Sequence, residues 1–364
     1  MIKLALIDNG IPYYMRNKSN HKIVPKTFFA SICDPSEYKG EKSFHGAVCA
    51  GIIASICSDI EFWDLNVTDT AGTTQITVLL ESLEWCVQNK IKLIHMSLGT
   101  INYFDIKPLW IQIKRLLDAD AIVVAAYHNR NIKTYPAAFP GVFGVRQDRY
   151  GFLENGQILF REQKGYNIEN SIVANLSWNG IINQANSYAA PVVTGHIATY
   201  LNTKPTAGFD DVMKFLMTIA THKSGYPDIL ENVIRDKANI EIPVIAGVGL
   251  DCEEMIQLKA LFSQNGYYAV VLQKNPIDEN VIPLEYYDDS IASLNDILYT
   301  VYKAYGPDII LLNQEEERWE SSKVSDIDMY IVHKSNTYEL YAEDRIGITS
   351  HIEDIYELVC QYFA

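Results

Sequence analysis

The sequence predicts an α/β protein, a doubly wound and largely parallel sheet followed by a second, smaller α/β domain. Short apolar runs alternate with segments of helical spacing through the first half of the chain, and the same alternation begins again at Ile242. A polar stretch separates the two patterns. We therefore expect one domain over residues 1–222, a linker over 223–241 and an accessory domain over 242–364.

The first half contains apolar runs short enough to be strands, with helical segments between them. Strands are predicted at 2–7, 60–67, 93–99, 121–126, 142–145 and 172–174. Helices are predicted at 45–54, 74–88, 108–118 and 188–201. Polar residues fill 12–42 and 146–168, so we expect a surface loop with one short strand in the former and a hairpin or loop in the latter.

The second half repeats the pattern on a smaller scale. Strands are predicted at 242–249, 268–272, 308–312 and 329–332. Helices are predicted around Met255 to Phe262, at 291–304 and from Ile352 onward, each with apolar residues on one face.

Charge is unevenly distributed along the chain. The net charge is −15, and residues 241–364 alone hold 23 acidic and 7 basic side chains, a net of −16. Such a region repels polyanions, so we expect neither nucleic acid nor an anionic membrane as a partner. Its acidic surface either solvates the domain or docks a basic partner or a second copy of the chain, and the sequence leaves both open.

The beginning of the chain and its cysteines bear on its compartment. Met1 leads directly into a strand pattern, so we expect no secretory signal, and no apolar run approaches the roughly 18 residues of a membrane span. Six cysteines are scattered without a CxxC pair, which disfavours a zinc site or a disulfide framework. We expect a cytoplasmic protein that uses no metal and no cofactor.

The stretch that begins at Ser187 is the most informative part of the sequence. Ser187 stands where a loop ends, and residues 188–201 are apolar almost throughout. A helix that is apolar on nearly every side belongs in a core, so its first turn presents a single hydroxyl at the mouth of a buried helix. The simpler interpretation is that Ser187 caps the helix. Two earlier segments favour a chemical role instead.

Asp8 closes the first predicted strand and His45 opens the first predicted helix. Open α/β sheets bind ligands at the carboxyl ends of their strands, which is where both residues are expected. The chain order is Asp, His, Ser, the order of subtilisin. At these residues the chain resembles the subtilisin-like serine peptidases. The segments that carry the resemblance are 7–10, 45–52, 95–99, 125–129, 135–137, 187–195 and 211–216.

The resemblance implies a role for each matching residue. Ser187 is expected to be the nucleophile, His45 its general base and Asp8 the group that orients the imidazole. Asn129 is expected to stabilise the oxyanion. Six further residues are expected to line the substrate, the first three as a strand that pairs with its backbone: Ser97, Leu98, Gly99, Ala126, Tyr127 and His128.

Several positions depart from the family pattern. Ala185 and Asn186 stand where the family usually has Gly-Thr, and His128 replaces a glycine beside the oxyanion asparagine. These departures leave two hypotheses. The protein is a cytoplasmic serine endopeptidase of narrow specificity that cuts a precursor peptide, such as the leader of a ribosomally made peptide product. Alternatively, it is a catalytically silent module that binds peptides.

The second half offers one further motif. Its first strand leads into Gly247-Val248-Gly249, but no Lys-Ser/Thr pair follows, and acidic residues occupy the next positions. The half resembles a degenerate P-loop-like α/β domain of natural-product peptide maturation systems. Scaffold, dimerisation and substrate-docking roles are favoured over a third hypothesis, a nucleotide-driven enzyme.

Overall fold

The computed structural model describes most of the chain. Its described residues are 1–28, 44–69, 72–129, 134–160, 171–182, 185–221, 240–286, 293–314, 327–342 and 344–363. Parts of the predicted loops at 12–42 and 146–168, most of the predicted linker at 223–241 and the start of the predicted helix at 291–304 lie outside these ranges.

The chain folds into two compact units. The first comprises Met1–Thr100, Phe104–Asn129 and Lys133–Ile229, and the second comprises Ile101–Tyr103, Arg130–Ile132 and Leu230–Ala364. Both are α/β units built on a largely parallel sheet, as the sequence predicts. The predicted boundaries at 222 and 242 remain a prediction.

The first unit is built on an eight-stranded sheet. The strands of this unit, including a separate short pair, are β1 (Ile2–Asp8), β2 (Lys22–Thr27), β3 (Ile60–Asn66), β4 (Leu93–Met96), β5 (Ile122–Ala126), β6 (Val142–Gln147), β7 (Ile158–Phe160), β8 (Ser171–Ala174), β9 (Ser177–Trp178) and β10 (Ile181–Ile182). Their order in the sheet is β2-β3-β1-β4-β5-β6-β8-β7, and only β7 runs antiparallel to its neighbour. β9 and β10 pair separately as an antiparallel ribbon.

Six helices of the first unit are described. They are α1 (Tyr13–Arg16), α2 (His45–Ile56), α3 (Ile76–Gln88), α4 (Tyr103–Asp118), α5 (Asn186–Thr203) and α6 (Phe209–Ile219). Helices α2 and α5 share a core with Leu4 and Leu6 of β1. The two helices approach closely because Gly195 has no side chain, and a Cβ there would lie 2.8 Å from Cβ of Ile56.

This arrangement places the carboxyl ends of several strands and the starts of two helices at one edge of the sheet. β1, β4 and β5 are neighbours and run parallel, so their carboxyl ends meet. Helices α2 and α5 begin near the same edge, because His45 opens α2 and Ser187 lies in the first turn of α5. Residues that are far apart in sequence therefore come together there.

The second unit is a smaller sheet with helices on both faces. Its strands are β11 (Val244–Val248), β12 (Ala269–Gln273), β13 (Ile282–Pro283), β14 (Ile309–Gln314), β15 (Met329–Lys334), β16 (Thr337–Tyr341) and β17 (Arg345–Thr349). Their order is β13-β12-β14-β11-β15-β16-β17, with β16 and β17 antiparallel. Helices α7 (Cys252–Gln264) and α9 (Ile352–Phe363) cover one face, and α8 (Leu294–Tyr305) covers the other.

Three predicted boundaries differ from the structure. β4 ends at Met96, so residues 97–99 follow the strand instead of completing it. Helix α4 begins at Tyr103, five residues before the predicted start, and carries Pro108 within its first turns. Helix α5 begins at Asn186, which places Ser187 inside the helix and Pro191 in its second turn.

Candidate active site

Asp8, His45 and Ser187 form a continuous hydrogen-bonded group. Nδ1 of His45 lies 2.9 Å and 3.0 Å from the two carboxylate oxygens of Asp8. Nε2 of His45 lies 3.0 Å from Oγ of Ser187. A neutral imidazole that donates its Nδ1 proton to Asp8 presents Nε2 as an acceptor to the Ser187 hydroxyl. This is the geometry required for a histidine to accept the proton of a serine nucleophile.

The segment after β1 fixes Asp8 against the start of α2. The Asn9 amide donates to Oδ1 of Asp8 at 2.8 Å, and Oδ1 of the Asn9 side chain accepts the Gly46 amide at 2.9 Å. Gly46 is small enough for this approach, because a Cβ there would lie 3.2 Å from Cβ of Asp8. Asn9 thus joins the aspartate segment to the helix that carries His45.

Burial and charge act in opposite directions on His45. Burial lowers the pKa of its imidazole, whereas the hydrogen bond to Asp8 raises it, and the net result is a raised pKa. Cys49, whose Sγ lies 3.7 Å from Nδ1 of His45, is fully buried, which raises the pKa of its thiol and keeps it neutral. We therefore attribute the raised pKa of His45 to Asp8. The ring of Tyr188 packs on the imidazole, with centroids 4.9 Å apart.

Asn129 and Asn186 connect the end of β5 to the start of α5. Oδ1 of the Asn129 side chain accepts the Asn186 amide at 2.9 Å. Because an N–H group needs an acceptor, this bond places Oδ1 of Asn129 toward the Asn186 amide and turns Nδ2, the donor, away from it. Arg149 also donates to the carbonyl oxygen of Asn129. Asn129 is exposed and its amide orientation is set from the helix that carries Ser187.

The Asn186 side chain is a clamp that sequence reasoning did not recognise. Asn186 is 1% exposed, and its Nδ2 donates to the carbonyl oxygens of Tyr127 at 3.1 Å and His128 at 3.0 Å. Its Oδ1 accepts the Gln147 amide at 2.9 Å. The departure from the family pattern at this position therefore supplies three bonds that hold the serine turn against β5 and β6.

The predicted substrate strand lies beside Ser187. The Ser97 hydroxyl donates to the carbonyl oxygen of Ser187 at 2.8 Å. Gly99 is exposed, and a Cβ there would lie 2.7 Å from the carbonyl oxygen of Tyr135, so glycine permits this close backbone approach. Leu98 lies between them, partly exposed. A pairing of these residues with a substrate remains a prediction.

The second predicted substrate segment is divided between core and surface. Ala126 and Tyr127 are 5% and 3% exposed. The guanidinium carbon of Arg146 lies over the Tyr127 ring, 3.9 Å from the ring centroid. The backbone amide of Tyr127 donates to the Val145 carbonyl. Tyr127 is thus part of the core. His128 is partly exposed, which makes it the member of this trio that is open to a ligand.

One group of side chains has the spacing of a metal site. Asp8, His45 and Cys49 each place a potential ligand atom within 4.8 Å of the others. The described residues bring no other such group together. The Asp8 carboxylate and the His45 ring already bond to each other in the Asp8–His45–Ser187 group, and Sγ of Cys49 lies beside that group, 3.7 Å from Nδ1 of His45. We therefore assign Asp8 and His45 to the hydrogen-bonded group.

The glycine-bearing loop of the second unit lines a polar cavity of about 370 Å³ at the carboxyl ends of β11, β12 and β14. At its edge, the Asp251 carboxylate accepts the Glu254 amide at 2.8 Å, and the Glu254 carboxylate accepts the Asp251 amide at 2.7 Å. These carboxylates occupy the Asp251 and Glu254 amides, two of the N–H groups at the start of α7 that a phosphate could use. The role of this loop remains a prediction.

The helices of the described chain were also assessed as membrane spans. None of them combines the length and the apolar character needed to cross a bilayer.

Comparison with known proteins adds independent information. No family model matches the chain. The chain is 24% identical over 243 residues to subtilisin DY of Bacillus licheniformis, covering 61% of this chain and 84% of that protein. It is 26% identical over 245 residues to subtilisin E of Bacillus subtilis (strain 168), covering 61% of each. It is 28% identical over 156 residues to the minor extracellular protease Epr of the same strain, covering 40% of this chain and 23% of Epr.

Solved structures overlap the chain in part. A cold-adapted subtilisin-like serine proteinase is 19% identical with a TM-score of 0.45, covering 58% of this chain and 80% of that one. A lanthipeptide protease is 15% identical with a TM-score of 0.44, covering 58% and 78%. The prenylagaramide maturation protease PagA is 19% identical with a TM-score of 0.41, covering 56% and 76%. The sequence relatives show that this chain resembles the subtilisin-like serine peptidases over about 61% of its length.

Proposed function

We propose that the first unit hydrolyses peptide bonds with Ser187 as nucleophile, His45 as general base and Asp8 as the residue that orients the imidazole. The observation that carries the proposal is the unbroken series of hydrogen bonds from Asp8 through His45 to Oγ of Ser187. A serine hydroxyl is a weak nucleophile on its own, and a neutral histidine at 3.0 Å can take its proton as it attacks.

The chemistry proceeds in two halves. Oγ of Ser187 attacks the peptide carbonyl carbon while Nε2 of His45 takes the hydroxyl proton, and a tetrahedral oxyanion forms. His45 then gives that proton to the departing amine, which leaves an acyl-enzyme. A water molecule then attacks the ester carbonyl and loses a proton to His45. His45 returns that proton to Oγ as the bond between Oγ and the acyl carbon breaks, which releases the acid product and restores the Ser187 hydroxyl.

Two donors serve the oxyanion in this proposal. One is Nδ2 of Asn129, the amide end left available by the bond from Asn186 to Oδ1. The other is the Ser187 amide, which lies in the first turn of α5, where backbone N–H groups have no partner within the helix. Loss of one such donor typically lowers kcat by about 10²–10³-fold.

We further propose that the substrate is an extended segment of a precursor peptide, cut at few sites, as in leader removal from a peptide product. Ser97 to Gly99 offer the backbone for an added strand. Two features support narrow selection. His128 places an imidazole where a glycine is usual, and residues 241–364 carry a net charge of −16 that attracts basic segments.

We assign this activity to a reducing compartment such as the cytoplasm. The described cysteines, Cys49, Cys57, Cys86, Cys252 and Cys360, are all free thiols. Unpaired cysteines persist where glutathione keeps thiols reduced.

The proposal is tested with a library of defined peptides. Wild type and Ser187→Ala are incubated with the library, and new termini are identified by mass spectrometry. We expect cleavage by wild type at a restricted set of sequences and none by Ser187→Ala. Folded wild type that cuts nothing would leave the silent peptide-binding module as the better account. Cleavage at most sequences would retain the peptidase and refute narrow specificity.

A further inference from the structure

A buried series of hydrogen bonds lies behind Ser187, separate from the bond to His45. Oγ1 of Thr194 lies 2.8 Å from Nδ1 of His95, and Nε2 of His95 lies 2.7 Å from Oγ of Ser97. The Ser97 hydroxyl donates to the carbonyl oxygen of Ser187 at 2.8 Å. His95 and Thr194 are both 0% exposed. The series therefore reaches from the middle of α5, through β4, back to the backbone of Ser187.

The Ser187 carbonyl is available to this series because of Pro191. In an α-helix the carbonyl of residue 187 accepts the amide of residue 191, and proline has no amide proton to donate. The carbonyl instead takes the Ser97 hydroxyl, with the Cys49 thiol as a weaker donor at 3.7 Å. Its position is thus set by the side chain of Ser97, which directly follows β4, and not by the hydrogen bonds of the helix.

Two arrangements of protons compete, because the Thr194 hydroxyl also lies 3.1 Å from the Ala190 carbonyl oxygen. That carbonyl already accepts the Thr194 amide within α5, whereas the Ser187 carbonyl has no helix amide and needs the Ser97 proton, so we favour the arrangement that serves Ser187. The Ser97 hydroxyl proton is used on the Ser187 carbonyl, so Oγ of Ser97 must accept from Nε2–H of His95. In that arrangement a neutral His95 has a bare Nδ1, which accepts the Thr194 hydroxyl at 2.8 Å in place of the longer bond to the Ala190 carbonyl. The opposite tautomer would turn the Ser97 proton toward His95 and release the Ser187 carbonyl. Burial lowers the pKa of His95 to about 3, which keeps the ring neutral.

We propose that His95 and Thr194 are positioning residues of the active site. Thr194 selects the Nε2–H tautomer of His95, and His95 turns the Ser97 hydroxyl onto the Ser187 carbonyl. That bond fixes the peptide plane that follows the nucleophile and so keeps Oγ directed at Nε2 of His45. The inference rests on the proposed function of Ser187.

A buried histidine also needs hydrogen-bond partners for stability alone. The two roles predict different results. A stabilising role changes the melting temperature and the fraction of folded enzyme, whereas a positioning role lowers the reactivity of each folded active site.

The test uses the full chain and a fluorophosphonate, with kinact and KI measured separately and rates expressed per titrated active site. We expect Thr194→Val, which removes the hydroxyl at nearly constant volume, to lower kinact about tenfold and leave KI unchanged. Thr194→Ser should restore the wild-type rate. Thr199→Val is the control, since Thr199 lies on the same helix and donates only to the Gly195 carbonyl at 3.0 Å.

Two further measurements make the outcome decisive. The double variant Ser97→Ala/Thr194→Val should react no more slowly than Ser97→Ala, because Thr194 acts through Ser97. Spectra of ¹⁵N-histidine protein, assigned with His95→Gln, should show His95 as the neutral Nε2–H tautomer. This last measurement needs no folded Thr194 variant.

The inference is overturned if His95 carries its proton on Nδ1. It is also overturned if Thr194→Val reacts as fast as Thr199→Val. A third contrary result is a double variant whose fold-loss in kinact equals the product of the fold-losses of Ser97→Ala and Thr194→Val. Wild type that does not react with the fluorophosphonate would instead count against the proposed function of Ser187, and the tautomer would still be measured.

Discussion

Replacement of Asn186 by alanine should damage catalysis more than its distance from the chemistry suggests. The side chain makes three bonds at 2.9–3.1 Å while 1% exposed, and alanine leaves one amide and two carbonyls without those partners. At a net value of about 0.5–1.5 kcal/mol for each bond, the free energy of unfolding should fall by about 1.5–4.5 kcal/mol.

The catalytic effect follows from what these bonds hold in place. The backbone amide of Asn186 sets the orientation of the Asn129 side chain, and the side chain of Asn186 fixes the backbone at residues 127 and 128. Loosening both should misalign the oxyanion donor without deleting it. We expect kcat to fall about 10- to 100-fold, less than the 10²–10³-fold loss typical when such a donor is removed.

The assay is hydrolysis of a peptide ester, with kcat expressed per active site after fluorophosphonate titration and stability measured by urea denaturation. Asn202→Ala is a matched control. Asn202 lies at the other end of the same helix, and its Nδ2 donates to the Asp59 carbonyl at 2.8 Å. If Asn186→Ala and Asn202→Ala lose stability but share the wild-type kcat, the clamp has no catalytic role and the argument is refuted.

Three further predictions follow from the electrostatics of the first unit. Asp8→Asn should lower kcat by about 10⁴-fold with little change in KM, because the imidazole loses its tautomer control; retention of more than a tenth of the activity would contradict this. The rate should fall toward acid pH with an apparent pKa above the ordinary 6.5 of histidine, because His45 must be neutral to act and Asp8 raises its pKa. An apparent pKa below 6.5 on the acid side of the pH–rate profile would count against this effect of Asp8. Burial raises the pKa of Asp64 from 3.8 to about 7, so the folded state holds the Asp64 proton more tightly than the unfolded state. The free energy of unfolding should therefore fall as pH rises toward 7, by at most about 4 kcal/mol. Urea denaturation between pH 4 and 8 should show that the free energy of unfolding of Asp64→Asn rises relative to that of wild type as pH increases. If the two free energies change in parallel with pH, the pKa of Asp64 is not raised.

Much of the candidate site could be predicted because its residues stand at element boundaries. Asp8 ends β1, His45 opens α2 and Ser187 lies in the first turn of α5, and these positions are visible as breaks in apolar patterns. The parallel order of the strands then brings the breaks to one edge. Local pattern and topology indicate where such residues lie, whereas their expected roles came from the resemblance to the subtilisin-like serine peptidases.

The clamp and the buried series were not predicted, because their meaning lies in contacts between distant segments. In the sequence Asn186 is only a departure from the family pattern, and its bonds to residues 127, 128 and 147 show that it holds the serine turn in place. His95 was placed within an apolar strand without a role of its own. No local pattern indicates that its partner is Thr194, 99 positions away.

The second unit shows a similar division. Its parallel strands were predicted from apolar runs, whereas the antiparallel β16 and β17 were missed. Both strands are only partly buried and carry alternating polar residues, such as Glu339 and Arg345, so they lack the continuous apolar pattern of β11 or β14. Half-exposed strands of this type are specified by pairing and not by composition.

The central claim is that Ser187 is an activated nucleophile, and fluorophosphonate labelling with mass mapping of the adduct tests it most directly. The account predicts one adduct, on Ser187, in wild type, and none in Ser187→Ala or His45→Ala that retain the wild-type fold. A folded wild type that remains unlabelled, or an adduct that persists in His45→Ala at the wild-type rate, would contradict it.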